Sequence, residues 1–189
     1  MKKNLVIFCG ARFPDLPSQE LERFKNQISS FCQAISTEYN LVYGGGNIGL
    51  MGFVANEFLK FNAQVTGIIP GYLNTLEIRH ENLTETQVVD DLHQRKAIME
   101  RLGDVFLILP GGIGTLDELC EVLTLQTLHR HRKPIFIWNW HQIFAGFLQF
   151  IQTGINTKLI NDNIIKDCLI HEDLLFLQNK LLGTLSNMG

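Results

Sequence analysis

Along this chain, short runs of unbroken apolar residues alternate with longer segments whose apolar residues recur at three- and four-residue spacing. Asn4 to Cys9 is the first such run and closes on Gly10, which predicts a strand buried on both faces, as parallel strands are. From Ser18, a suitable N-cap, the residues Leu21, Phe24, Ile28, Phe31 and Ile35 mark one face of a helix that runs to about Tyr39. Leu41 to Tyr43 then reads as a short strand, Leu50 to Phe61 as a helix, and Val65 to Ile69 as a strand. Between Pro70 and Asp91 both signals weaken, with Thr86 to Val89 the one short strand expected, and a loop over a site belongs there. A helix over Leu92 to Leu102, a strand ending at Leu109, a helix over Thr115 to His129 and a strand over Ile135 to Trp138 follow. Helices over Phe144 to Ile151, ending near Gly154, and over Asp173 to Leu182 complete the pattern.

This alternation predicts a three-layer α/β fold with a mainly parallel sheet, and 189 residues suit a single domain spanning 1–189. Right-handed crossovers put every strand's C-terminal end on one edge of such a sheet. Gly10, Gly44 to Gly49, Pro70 and Pro110 to Thr115 are therefore expected to gather along that edge.

Composition narrows the picture. With 46% hydrophobic and 19% charged residues and a formal net charge of −3, the chain reads as an ordinary globular protein without general attraction to nucleic acid or membrane surfaces. Any anion site is then local. Cys9, Cys32, Cys120 and Cys168 are too scattered for a zinc site and read as free thiols of a reducing compartment. The apolar run behind the two N-terminal lysines is too short for a signal peptide or a spanning helix, so a cytoplasmic location is expected. The six histidines form no H-x-x-x-H pair on an expected helix, and no metal is required.

The chemistry concentrates in Pro110-Gly-Gly-Ile-Gly-Thr-Leu-Asp-Glu118, which follows a strand and opens a helix. Gly111, Gly112 and Gly114 let the backbone approach an anion, and Thr115 with the first free helical amides can donate to phosphate oxygens. Glu118 has two readings at this point: a carboxylate beside a bound phosphate, or the glutamate of a Thr115-x-x-Glu118 capping box. Gly44, Gly46 and Gly49 formally satisfy G-x-G-x-x-G, but the strand after them runs into Pro70 and Gly71 instead of ending on the acidic residue that a dinucleotide ribose needs. Arg95 and Lys96 stand early in a helix, where the dipole disfavours cations, so they are either solvated or facing an anion. The turn at Gly111 to Thr115 carries no lysine and so is not a triphosphate loop. A nucleoside monophosphate or a small phosphorylated sugar fits these parts. A carboxylate beside a ribose phosphate suits cleavage of an N-glycosidic bond, whose oxocarbenium-like transition state it stabilises while orienting or deprotonating a water.

Several stretches together resemble one family. Pro110 to Glu118 matches PGGxGTxxE, Phe8-Cys9-Gly10 resembles VFCGS, and Leu41 to Gly52 matches a second glycine motif at nearly every position. Leu92 to Lys96 resembles MHxRK, and His131, Lys133 and Pro134 resemble HxKP. These are the motifs of the LONELY GUY family of cytokinin riboside 5′-monophosphate phosphoribohydrolases. The resemblance covers almost the whole chain. It implies a Rossmann-like fold, a homodimer, no cofactor, and hydrolysis of an N6-substituted adenosine 5′-monophosphate to free base and ribose 5-phosphate. It implies catalytic roles for Arg95 and Glu118. Gly10, Arg12, Gly44, Gly45, Gly46, Lys96, Gly111, Gly112, Gly114 and Thr115 are expected about the substrate.

The chain also departs from the family pattern. Ala11 and Arg12 stand where two serines are usual, Leu92 replaces a Met, and Leu125 and His129 replace a Trp and a Gly. Adenosine monophosphate itself or another purine monophosphate is therefore an alternative substrate, and a protein that binds a nucleotide without cleaving it is the reading from a different class. Relatives labelled lysine decarboxylases would need a pyridoxal phosphate lysine, for which Lys96 is the one candidate near the site.

Overall fold

Strand β1 (Lys3–Phe8) lies at the middle of a parallel sheet because its side chains are apolar in both directions. Leu5 and Ile7 enter one core cluster, while Val6 and Phe8 enter the other. The computed structural model describes residues 2–75 and 78–185, so Leu76 and Glu77 of the expected loop lie outside them. Along the chain follow α1 (Ser18–Ile35), β2 (Tyr39–Tyr43), α2 (Gly49–Lys60), β3 (Val65–Pro70), β4 (Glu85–Val89) and α3 (Leu92–Leu102). Then come β5 (Val105–Ile108), α4 (Ile113–Thr127), β6 (Ile135–Trp138), α5 (Ala145–Asn156), β7 (Cys168–His171) and α6 (Leu174–Thr184).

Among the described residues the sheet has seven strands in the order β4-β3-β2-β1-β5-β6-β7, every pair parallel. Helices α1, α2 and α6 cover one face, through Phe24, Ile28 and Phe31, Val54 and Phe58, and Leu177 and Leu181. Helices α3, α4 and α5 cover the other, through Met99, through Leu119 and Leu123, and through the partly buried Phe147. β1 leads through α1 on one face and β5 leads through α4 on the opposite face. The chain thus reverses its winding between these two strands, and a crevice opens beyond their C-terminal ends.

Three local expectations are corrected. Ser18 is the first helical residue, preceded by Pro17 in an extended conformation, and among the described residues no side chain caps that end. Helix α1 stops at Ile35 and Tyr39 opens β2, where it stands opposite Lys3. Tyr39 lies four residues beyond Ile35, in helical phase with it, so pairing across the sheet overrides the periodicity. Strand β7, absent from the sequence pattern, is a four-residue edge strand whose residues are all half-buried, which leaves neither an apolar run nor an alternation to detect.

Candidate active site

Three glycine-containing turns meet beyond the ends of β1, β2 and β5. The Gly10 amide donates to the Pro110 carbonyl at 3.0 Å, and the Gly10 carbonyl accepts from the Met51 amide at 3.2 Å. Gly49 has a φ of +57°, and a Cβ there would stand 2.3 Å from the carbonyl carbon of Ala11. Only glycine allows that approach. A cavity of about 550 Å³ lies over the joined turns, at the reversal between β1 and β5.

The turn after β5 removes one of the two readings of Glu118. Helix α4 begins at Ile113 with Gly112 before it, and its first intrahelical bond runs from the Leu116 amide to the Gly112 carbonyl at 3.1 Å. Thr115 is therefore inside the helix and the Thr115-to-Glu118 capping box does not form; the expected helix start at Thr115 is two residues late. The amides of Ile113, Gly114 and Thr115 precede the first bonded one and carry the positive end of the helix dipole. Gly111 is forced by packing, since a Cβ would lie 2.1 Å from Thr115 Oγ1. At Gly112 and Gly114 a Cβ would meet nothing within 4 Å among the described residues. The space beside these two glycines is open, as an anion site on a helix N-terminus requires.

Glu118 lies on the next turn of α4 and turns back over the cavity, where its Oε1 accepts from Nη2 of Arg95 at 2.8 Å. Arg95 comes from α3, whose start is fixed by Asp91 accepting from the Gln94 amide at 2.8 Å. Both side chains are largely buried, 13% exposed for Arg95 and 8% for Glu118. Burial pushes the Glu118 carboxyl up to about 7, against the opposing effect of Arg95, with Asp117 and Glu121 pushing the same way as burial. The carboxyl therefore changes charge near neutral pH, the range in which an acid or base works best. Arg95 Nε is buried without a partner among the described residues, so the guanidinium has a donor to spare.

The expected site residues divide by position. Gly10, Arg12, Arg95, Gly111, Gly112, Gly114, Thr115 and Glu118 all line the cavity. Gly44 lies behind Arg95, where a Cβ would stand 2.1 Å from Nη2. Gly45, at a φ of +77°, and Gly46 brace the following loop: the Gly45 carbonyl accepts from the His80 amide at 2.9 Å, and Gly46 pairs with Arg79. Lys96 points away to Asp117 at 2.9 Å and to Glu121; burial pulls its pKa down, and these two carboxylates outweigh it and raise the value. An imine-forming lysine needs the opposite, a lowered pKa, so Lys96 does not fit a pyridoxal phosphate site. Cys9 also faces the cavity, but burial keeps its thiol protonated. Sequence reasoning missed Phe13, Met51, Trp140 and Ile143 in the lining. For Trp140 and Ile143 the one available signal was their place just after β6, at the same edge of the sheet.

Comparison with known proteins gives consistent results. The family profile described as "Possible lysine decarboxylase" matches residues 51–176. A cytokinin riboside 5′-monophosphate phosphoribohydrolase of Rhodococcoides fascians is 40% identical over 152 residues, 79% of this chain and 74% of that protein. An Arabidopsis thaliana enzyme of the same name is 38% identical over 159 residues, covering 84% and 71% of the two chains. Among solved structures, the molybdenum cofactor binding protein of Rippkaea orientalis superposes with a TM-score of 0.68 at 17% identity over 98% of both chains. A Moco carrier protein of Chlamydomonas reinhardtii gives 0.70 at 14% identity over 99% of both. At these identities the two carriers share the fold.

Proposed function

The chain belongs to the LONELY GUY family of cytokinin riboside 5′-monophosphate phosphoribohydrolases, and from that premise we propose that it hydrolyses the N-glycosidic bond of an adenosine 5′-monophosphate, N6-substituted or plain. The observation that carries this reading is the buried Arg95–Glu118 pair beside the open N-terminus of α4. The phosphate sits on the amides of Ile113 to Thr115 and Arg12 adds a cation at the rim. Arg95 holds the ribose and keeps Glu118 turned toward the anomeric carbon. As the C1′–N9 bond breaks, its electron pair leaves with the purine and positive charge grows on the ribosyl ring. The Glu118 carboxylate stabilises that charge and orients a water, whose oxygen bonds to C1′ while its proton ends on the departing base. Incubation with adenosine monophosphate and isopentenyladenosine monophosphate, followed by chromatography for free base, tests the reading. Release of base supports it, and no release from any purine monophosphate overturns it.

The reading extends to a homodimer in the cytoplasm. Ile113 and Leu128, at the two ends of α4, are 82% and 63% exposed, and a second copy packed along that helix would cover them. Four free cysteines suit a reducing compartment, and among the described residues no helix is long and apolar enough to cross a membrane. Light scattering at micromolar concentration tests the oligomeric state: a mass of twice the 21.5 kDa chain supports the dimer and a mass of one chain overturns it.

A further inference from the structure

Trp140 stands just past β6, at the start of a tight turn whose next two residues, His141 and Gln142, have φ values of +45° and +58°. Non-glycine residues adopt this left-handed region singly and at a cost, and two in succession persist where the surroundings dictate them. Here the buried Asn139 does so: its carbonyl accepts from the Gln142 amide and its Oδ1 from the Phe144 amide, each at 3.0 Å. The indole is clamped on its other sides by Phe24, edge-on at a centroid distance of 4.9 Å, and by His141 at 4.4 Å.

Three cavities border this side chain, and the two larger ones are distinct in character. The nucleotide cavity is glycine and charge toward β1 and β5, and becomes apolar through Phe13, Met51, Trp140 and Ile143. A planar base needs such a wall, whereas the phosphate belongs on the amides of α4. A second cavity also lined by Trp140, of about 850 Å³, runs between α1 and α6 past Phe24, Phe31 and Leu174. Trp140 is the one described residue that lines both.

We propose that Trp140 determines specificity by acting as a partition, confining the base to the smaller cavity and withholding the larger one from any substituent the base carries. The inference rests on the reading of the smaller cavity as a purine monophosphate site. Shortening the side chain joins the cavities and admits bulk, so the effect falls on selectivity and not on the chemical step. The measurement is kcat/KM for N6-benzyladenosine monophosphate relative to adenosine monophosphate, in the parent, Trp140→Phe, Trp140→Leu and Trp140→Ala. The ratio is expected to rise through the series by about tenfold or more, carried by KM. Tenfold corresponds to about 1.4 kcal/mol, which burial of about 55 Å² of substituent surface supplies. The Phe and Leu variants keep the test open if the Ala variant does not fold. Parallel loss on both substrates with an unmoved ratio overturns the partition while leaving the hydrolase reading standing. A parent that releases base from neither substrate overturns the hydrolase reading and the partition with it.

Discussion

A Cβ on Gly44 would stand 2.1 Å from Nη2 of Arg95, the atom that donates to Glu118. The absence of a side chain just past the end of β2 is therefore what leaves room for the guanidinium to reach the carboxylate. Gly44 has no positive φ, so alanine is tolerated by the backbone and only the arginine is displaced. Gly44→Ala is expected to keep its far-UV spectrum and lose about 10² in kcat/KM, the usual effect of a misplacement of about 1 Å. Activity within twofold of the parent would show that Arg95 does not need this position.

Glu118→Gln preserves the shape of the side chain and removes its charge. The variant is expected to bind adenosine monophosphate about as well as the parent by calorimetry while losing about 10² to 10⁴ in kcat. Unchanged turnover would remove Glu118 from the mechanism.

The pH profile has a definite sign. In the proposed mechanism the carboxylate is the working form, and with burial holding the carboxyl at about 7, kcat/KM should climb about tenfold per pH unit up to that value and then level. Lys96 opposes the upward shift and Asp117 adds to it. Lys96→Met is therefore expected to move the rising limb to higher pH, and Asp117→Asn to move it to lower pH. A limb that stays in place in both variants would mean that another group controls the profile.

The same carboxyl links pH to stability. Its value is raised from an ordinary 4.5 to about 7, so between these limits the folded chain binds more protons than the unfolded one. This contribution to stability is present below pH 4.5 and is lost as pH rises through about 7. Over that window the parent should lose about 3 kcal/mol relative to Glu118→Gln. Urea titrations of the two proteins at several pH values measure the difference, and parallel curves would contradict it.

How much of this was legible beforehand varied with the range of the interaction. The strands β1, β3, β5 and β6 and the helices α2, α3 and α4 were read to within about two residues, because an apolar run or a three-to-four spacing reports burial directly. Tyr39 failed the same test: it continues the helical phase of α1 and yet begins β2. Arg95 and Lys96 were alike in the sequence, neighbouring cations at one helix start. About 100° of helical rotation separates them, enough to send one to Glu118 and the other to Asp117 and Glu121.

By itself the sequence determined the α/β alternation, the glycine turns and the family, since each depends on neighbours a few residues apart. Tertiary structure decided what Glu118 meets. A capping box was possible in isolation, but α4 starts at Ile113, two residues before Thr115, and the carboxylate turns to an arginine 23 residues away. It also decided that Trp140 borders the cavity over the glycine turns, which follows from β6 lying beside β5 in the strand order. The reason is common to both: local periodicity encodes which side of an element is buried, whereas the partner it meets there is set by the order in which distant strands pair.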